Sequence, residues 1–351
     1  MDCTRRDFLL AAAAAPLLAA QDPPSRRSAM GIAEFTFRHR MQLDRERRVP
    51  EPISDPVHFL EFARRLGAGG IQTTLGGLSP DRALELRRRA EAHGMWVEGS
   101  ESLPRRKEDV ERFDAAIRSV HAAGATHVRS VLLGGRRYES FDREEQWTAF
   151  VADSRERLRL AEPVLARHGV VLAFENHKDF RVPEYLPFLK SLGSDRFAAC
   201  PDFSNNFTLL EDDHEVVEAL APVAAMAHVK DMAVAETEDG FLAADVPFGE
   251  GFHDLPRMLG ALRKANPRIR FSLEMSARDA LRVPCLSPKY WATMRDVPAS
   301  DLARTLRTVR ERAVPRERLP RVNALPLEER VRIEEENVRT CLAYAAAKLG
   351  I

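Results

Sequence analysis

Four short apolar runs, each ending near a residue with a metal-binding side chain, decide the fold of this chain. They are VVLAFENH (170–177), FAACPDFSN (197–205), AAMAHVKD (224–231) and RFSLEMS (270–276), and the residues in question are Glu175, Asp202, His228 and Glu274. Apolar runs that lead into polar residues are typical of strands buried on both faces of a parallel sheet. If the four runs are neighbouring parallel strands, the four side chains emerge at one rim and converge. Three carboxylates and one imidazole suit one divalent cation, Mn²⁺ foremost, with Mg²⁺, Co²⁺ or Zn²⁺ as alternatives.

The rest of the chain repeats the same pattern. From residue 29 onward, short apolar runs alternate with longer amphipathic stretches. Four more candidate strands lie N-terminal to the four runs quoted above: AMGIAEFTF, GGIQTTL, GMWVEGS and ATHVRSVLL. Apolar residues recur at helical spacing in the stretches 56–66, 80–93, 107–123, 144–168 and 213–221. Several of these helices are predicted to end at a glycine. Eight such units predict the α/β class and a single-domain (β/α)₈ TIM barrel over residues 29–351.

Two segments depart from this regular pattern. Residues 233–254, AVAETEDGFLAADVPFGEGFHD, are predicted to form a polar loop on the active-site face after the seventh strand. Residues 277–325 contain several prolines and one helical stretch near 300–313, so they are predicted to form an insertion over that face. The final helix, which starts after Pro326, is predicted to be the eighth barrel helix. The alternative is a free C-terminal arm for dimerisation, which leaves a homo-oligomer open.

The N-terminus carries a different signal. Arg5 and Arg6 precede an apolar run from Phe8 to Ala20 that is too short to span a bilayer. The motif resembles a bacterial twin-arginine export signal, and the alternatives are an ordinary signal peptide or an apolar helix. We therefore expect residues 1–21 to be removed and the mature protein to be periplasmic or otherwise extracytoplasmic, without membrane attachment.

Composition points to a small-molecule partner. The chain has 351 residues with 44% hydrophobic content, which is enough for a large core. Lys plus Arg and Asp plus Glu are equal at 53 each, so no overall field attracts nucleic acid. We expect no nucleic-acid partner.

The strand-end segments resemble the xylose isomerase-like barrel superfamily, in its sugar isomerase and epimerase branch. The segments that carry the resemblance are ENH, PDFSN, HVKD (228–231), GEGFHD (249–254) and SLEMS. The resemblance covers essentially the whole mature chain and implies that one divalent ion is held by the four residues named first. It also implies a sugar or keto-sugar substrate.

The chemistry of such a site requires an acid and a base. The ion would polarise the carbonyl of a hydroxy-ketone or hydroxy-aldehyde, so that a carboxylate removes the neighbouring proton and a metal-bound enediolate forms. Glu175 and Glu274, on opposite sides of the substrate plane, are predicted to transfer the protons. The geometry of proton return decides between isomerisation and epimerisation.

Four further polar residues are predicted to contact substrate, each with a structural alternative. His177 lies one strand period after Glu175, and Lys230 could stabilise an oxyanion or form an ion pair with Asp231. Asn205 stands where the family often has a histidine, so an acid–base role does not transfer to it. Glu250 could instead shape its loop. The arginine that epimerases of the family often carry after the seventh strand is missing from 232–237, so sugar preference does not transfer.

Isomerase or epimerase activity has three alternatives for a chain with this pattern of residues. A metal-dependent lyase or dehydratase would expel a β-leaving group from the same enediolate, and a non-catalytic sugar-binding barrel would keep the fold without turnover. Abasic-site endonucleases of the superfamily need three metals and further histidines that this chain lacks in TTLGG and LLGG. No basic phosphate cradle is evident and export argues against sugar phosphates, so a free sugar, keto-sugar or glycoside is expected.

Overall fold

The computed structural model describes residues 27–351. Within that range, eleven strands are formed. They are β1 (Gly31–Ala33), β2 (Gly70–Thr73), β3 (Trp96–Ser100), β4 (His127–Ser130), β5 (Val171–Glu175), β6 (Phe197–Cys200), β7 (Met226–Val229), β8 (Asp231–Thr237), β9 (Gly240–Val246), β10 (Arg270–Leu273) and β11 (Leu281–Val283).

Eight of the strands form a parallel barrel. The order is β6-β5-β4-β3-β2-β1-β10-β7, with parallel pairing throughout. Two isolated parallel bridges, Ala199 with Ala224 and Asp202 with His228, join the chain of β6 to that of β7 and close the cylinder. The predicted fold class, a single-domain (β/α)₈ barrel, is confirmed, and all eight predicted strands are present.

The helices surround the barrel. They are α1 (Arg38–Arg47), α2 (Pro56–Leu66), α3 (Pro80–Ala92), α4 (Val110–Ala122), α5 (Arg137–Ser140), α6 (Glu144–His168), α7 (Val182–Ser191), α8 (Asp213–Leu220), α9 (Leu255–Ala265), α10 (Ala299–Arg312) and α11 (Leu327–Tyr344). Helix α2 shows why these boundaries arise: Asp55 accepts hydrogen bonds from the N–H groups of Val57 and His58, and Gly67 ends the helix with a left-handed φ of 89°. No helix of residues 27–351 combines the length and the apolar character needed to cross a bilayer.

Helix α11 packs against the barrel wall. It lies beside α1 and α2, and Val338, Cys341 and Leu342 are buried in the main core. Burial of this apolar stripe within one chain differs from the free C-terminal arm that was the alternative expectation.

The segment after β7 is not the polar loop expected from the sequence. Strands β8 and β9 form an antiparallel hairpin, and β11 adds to the free edge of β9. Because alternate side chains such as Met232, Val234 and Phe241 are buried, the hairpin has an apolar face. Residues 277–325 supply β11 and α10, and their Tyr290 and Val309 share a small hydrophobic core with that face. A three-stranded sheet with its own core therefore extends from the C-terminal end of the barrel.

Candidate metal centre

Strand register brings the four predicted ligands together. The paired positions are Glu175 with Cys200, Asp202 with His228, and His228 with Ser272. Asp202 lies two residues after Cys200, and Glu274 lies two residues after Ser272. A shift of two residues keeps a side chain on the same face of a strand. One ligand atom from each of the four residues lies within 4.8 Å of the others, and all four residues are buried. This cluster can bind a divalent metal.

The tautomer of His228 fits a metal ligand. Its Nε2 lies 2.7 Å from Gln72 Oε1, which can only accept, so Nε2 carries a proton and Nδ1 is the nitrogen that can offer its lone pair to a metal ion. That lone pair faces Glu274 Oε2 at 2.5 Å and Glu175 Oε2 at 3.5 Å. Neither His228 Nδ1 nor Glu274 Oε2 has a hydrogen-bond partner in the described chain. Two such buried atoms this close together need a shared cation between them, and a divalent ion can supply it.

Two buried cations offset part of the negative charge. Arg129 donates from Nε to Glu175 Oε2 at 2.7 Å, and its Nη2 donates to the same oxygen. Lys230 Nζ donates to Asp202 Oδ2 at 2.9 Å. Burial alone would raise the pKa of Glu274, but the positive charge of Lys230 and the contact with His228 hold that pKa well below its usual range. Burial raises the pKa of Asp202 well above its usual range although Lys230 opposes this. With all three carboxylates ionised, the two cations leave one negative charge, which a divalent ion would balance.

A cavity of about 400 Å³ opens beside the cluster. Glu274, His177, Lys178 and Lys230 line it, together with three arginines: Arg129, Arg136 and Arg278. A second cavity of about 170 Å³ shares Phe35, Arg129 and Glu274 with the first and is also lined by Gln72 and His228. No basic phosphate cradle was expected from the sequence, yet this wall of the cavity is basic. The sequence did not reveal the wall because its cations come from segments far apart along the chain.

The four predicted substrate contacts fall into two pairs. His177 and Lys230 line the larger cavity. Asn205 lies below it and links three groups: its Nδ2 donates to Asp202 and to Glu175 Oε1, and its Oδ1 accepts from Lys178. Glu250 is exposed in a turn, where its N–H donates to Pro247 O at 3.0 Å, and it lines neither cavity.

His177 presents a lone pair to the site. Its Nδ1 lies 2.8 Å from Leu133 O, so Nδ1 carries the proton, and Nε2 lies 4.0 Å from Glu175 Oε1. Burial lowers the pKa of His177 to about 4 although the Glu175 carboxylate opposes this. The imidazole is therefore neutral near pH 7 and accepts a hydrogen bond at Nε2.

Comparison with known proteins agrees with this geometry. Residues 60–301 match the model of the family described as xylose isomerase-like TIM barrel. The chain belongs to this family. A curated relative, 3-oxo-isoapionate decarboxylase from Pectobacterium atrosepticum, is 25% identical over 242 residues, which is 67% of this chain and 81% of that protein.

Solved structures share the barrel. D-psicose 3-epimerase in the presence of D-fructose superposes with a TM-score of 0.58 at 14% identity, covering 92% of this chain and 99% of that one. A xylose isomerase-like TIM barrel protein from Mycobacterium smegmatis, in complex with magnesium, has a TM-score of 0.53 at 18% identity and covers 80% and 99%. At these identities the similarity establishes the fold.

Three site residues were missed by the sequence analysis. Gln72 and Arg129 lie inside apolar strands, and a polar residue at an inward position of a buried strand was the available signal. Lys178 adopts a left-handed φ of 60°, which is uncommon for a lysine and has no sequence signature. None of the three lies in the segments that carried the resemblance to the family.

The GEGFHD segment has a structural role in this member of the family. Asp231 Oδ2 accepts from the N–H groups of Gly249 and Gly251, while Oδ1 accepts from those of Met232 and His253. A Cβ atom at Gly251 would lie 2.0 Å from Asp231 Oδ1, so this position requires glycine. The motif thus anchors the hairpin to the barrel.

Proposed function

We propose that this protein is a divalent-metal-dependent carbohydrate enzyme that isomerises or epimerises a sugar or keto-sugar through an enediolate. The observation that carries the proposal is the buried contact between His228 Nδ1 and Glu274 Oε2, two atoms without another hydrogen-bond partner in the described chain, beside a cavity. The fold shared with D-psicose 3-epimerase supports the carbohydrate class. The oxygen-rich ligand set supports Mn²⁺ first, and the magnesium complex of a related barrel supports the use of a divalent ion.

Glu274 is the better placed of the two proposed acid–base residues. A divalent ion at this cluster would polarise a substrate carbonyl and acidify the adjacent C–H. Glu274 lines both cavities, so its carboxylate reaches a substrate proton without rearrangement. Glu175 has no exposed surface, and Arg129 occupies its Oε2. Its Oε1 accepts a single hydrogen bond, from Asn205, and lies 4.0 Å from His177 Nε2, so Oε1 is the atom we assign to proton return.

The remaining polar groups orient the substrate and balance charge. Lys230 lines the cavity, and the nearby Asp202 and Glu274 carboxylates raise its pKa above the usual value although burial opposes this. It therefore stays protonated and can stabilise negative charge on a substrate oxygen. His177 Nε2 can accept a hydrogen bond from a sugar hydroxyl.

Metal analysis followed by solvent-deuterium exchange tests the proposal. We expect about one divalent ion per chain and deuterium at a single carbon of one sugar from a panel of free sugars, keto-sugars and sugar acids. Glu274→Gln should lower exchange by about 10³-fold or more, since the reacting carboxylate is lost. Glu238→Gln, in the exposed hairpin turn, is the matched control. Full exchange by the Glu274 variant, or metal-loaded protein that exchanges no proton of any sugar, would refute the acid–base proposal.

A carbon–carbon lyase or β-eliminating enzyme is the second candidate. The basic cavity wall and the 25% identity to a decarboxylase favour it. Product mass separates the two functions: release of CO₂ or water identifies the lyase, whereas an isobaric product identifies the isomerase or epimerase. Sugar binding without any product would instead identify a binding protein.

We also propose that residues 1–21 are a twin-arginine signal and that the mature protein acts outside the cytoplasm. These residues lie outside the part described by the structure. Replacing both Arg5 and Arg6 by lysine should retain the protein in the cytoplasmic fraction. Unchanged export of that variant would contradict the proposal.

A further inference from the structure

The larger cavity carries far more positive than negative charge. Its lining includes five basic residues, Arg129, Arg136, Lys178, Lys230 and Arg278, and one carboxylate, that of Glu274. A neutral sugar has no group that would balance such a wall. Only those cations that lack a carboxylate partner within the protein would remain to bind a substrate anion.

Two of the five are matched within the ligand cluster. Arg129 is paired with Glu175, and Lys230 is paired with Asp202. With these pairs formed, a divalent ion leaves the cluster with one positive charge, which the enediolate of a neutral substrate would balance. The cluster itself therefore requires no further anion.

Lys178 remains without an opposing charge. The residue is 7% exposed, and its Nζ donates to the neutral amide oxygen of Asn205. None of the ion pairs formed by residues 27–351 includes Lys178. Burial and the positive charge of Lys230 lower the pKa of Lys178 to about 8. A buried ammonium group without a carboxylate is unfavourable, and an incoming anion would relieve this cost.

Two arginines add positive charge to the same lining, although each also contacts a carboxylate. Arg278 Nη2 lies 3.8 Å from Asp245 Oδ2, a long contact, and that oxygen also accepts from the N–H of Ser276. Arg136 pairs with Glu139 one turn away on the protein surface. Their side chains are 21% and 25% exposed, so both guanidinium groups reach solvent and cavity. A guanidinium group can bind a carboxylate through two parallel hydrogen bonds.

We propose that the substrate is a sugar acid or keto-sugar acid whose carboxylate is bound by Lys178, Arg278 and Arg136. The inference rests on the proposed function and specifies its substrate class. The carbonyl and hydroxyl oxygens of the substrate face the ligand cluster, and its carboxylate lies against the basic wall. Lys178 supplies the buried charge, and the arginines supply the directional donors.

Matched ligand pairs test the inference by isothermal titration calorimetry on the manganese-loaded protein. D-galacturonate is compared with D-galactose, and D-glucuronate with D-glucose, because the members of each pair differ only at C6. We expect at least one acid to bind about tenfold or more tightly than its neutral partner. This is the gain in affinity expected from one charge-assisted hydrogen bond. If neither acid gains affinity over its neutral partner, whether or not the sugars bind, the inference is overturned.

Variants of two nearby arginines locate the carboxylate. We call the tighter binding of a sugar acid than of its neutral partner the acid advantage. Arg278→Gln should remove most of this acid advantage while leaving the affinity for the neutral sugar within about twofold. Arg282→Gln is the control, because Arg282 lies on the same segment but is exposed and paired with Asp239. If Arg278→Gln unfolds, as judged by circular dichroism, Arg136→Gln provides the same test. An acid advantage that survives in the folded arginine variants overturns the inference.

Two further measurements separate this inference from the metal site and from the proposed function. If the acid advantage disappears on chelation of the metal but persists in Arg278→Gln, the carboxylate binds the ion and the wall assignment is overturned. Tighter binding of D-galactose 6-phosphate than of D-galacturonate, lost in Arg278→Gln, would identify a phosphate site instead. Deuterium exchange into neutral sugars without any acid advantage would retain the proposed function and overturn only this inference.

Discussion

Two buried clusters at the C-terminal end of the barrel combine histidine with carboxylates but differ in their hydrogen bonding. In the first, His228 faces Glu274 and Glu175. In the second, His253 lies with Nε2 2.9 Å from Asp213 Oδ2 and Nδ1 3.4 Å from Asp231 Oδ1. Both histidines have buried side chains, and both lie within segments that carried the family resemblance, HVKD and GEGFHD.

The difference lies in the donors around the carboxylates. Asp231 accepts four backbone N–H groups, and His253 acts as a cation between two anions. In the second cluster every carboxylate therefore has donors without an ion, and only His253 Nδ1, 3.4 Å from Asp231 Oδ1, lacks a hydrogen bond within the described chain. In the first cluster, Glu274 Oε2 and His228 Nδ1 have no donor among the described residues. Ligand-type residues alone do not make a metal site; a deficit of donors around them does.

The largest expected contrast is in metal affinity. His228→Gln should weaken Mn²⁺ binding by about 10³-fold or more, because it removes one of four ligands and its lone pair. His253→Gln should retain about one ion per chain. Titration of both metal-free variants with Mn²⁺, followed by electron paramagnetic resonance, measures this directly. Equal loss of metal in the two variants would remove the distinction between the clusters.

The opposite order is expected for stability. His253→Gln should lower the free energy of unfolding by about 3 kcal/mol, since Asp213 and Asp231 lose the cation between them. In metal-free protein, His228→Gln should cost less than about 1 kcal/mol, because His228 Nδ1 makes no hydrogen bond in the described chain and only the contact with Gln72 is lost. Urea unfolding in the presence of a chelator compares the two variants. A greater destabilisation by His228→Gln would contradict the assignment of the stronger hydrogen bonding to the second cluster.

A smaller effect is expected from the residue behind the metal ligand. Gln72→Leu removes the acceptor that holds the proton on His228 Nε2. Metal affinity should fall by about 10- to 100-fold while the fold is retained. Gln42→Leu, whose side chain bonds Glu46 on helix α1, is the matched control. Unchanged affinity in Gln72→Leu would show that Gln72 does not set the tautomer.

The smallest expected effect is the pH dependence that distinguishes the second cluster. Burial alone would lower the pKa of His253, but Asp213 and Asp231 raise it to about 9. Because the pKa is higher in the folded state, this stabilisation is full below about pH 6.5 and is lost as the pH rises through 9. Wild-type protein should lose about 2 kcal/mol more than His253→Gln between pH 6.5 and 9.5. Parallel pH profiles of unfolding free energy would contradict the raised pKa.

The sequence predicted the ligand cluster well because its residues stand at strand ends. In a closed parallel barrel, strand order and the two-residue side-chain period determine where such residues meet. Arg129, Gln72 and Lys178 escaped because their contacts depend on neighbours that are distant along the chain. The basic wall of the cavity depends in the same way on segments that meet only in the folded barrel.

The hairpin after β7 shows a different failure. Its segment was predicted to be a loop because of its charged and glycine residues, yet β8 and β9 pair across a two-residue turn of Glu238 and Asp239. An Asp-Gly dipeptide is a hairpin signal, and Asp239-Gly240 was available as one, although the structure places the turn one residue earlier, with Gly240 paired to Thr237. Burial of Val234 and Phe241 under residues 277–325 then stabilises the pairing.

The closure of the cylinder between β6 and β7 has a consequence for the metal-free protein. Only two isolated bridges join these edges, and one of them pairs Asp202 with His228. An ion bound to both side chains would therefore tie together the most sparsely bonded seam of the wall. Removing the ion would take away one tie across that seam and leave the two bridges to hold it, so the residues that prepare the substrate would also help to keep the cylinder shut.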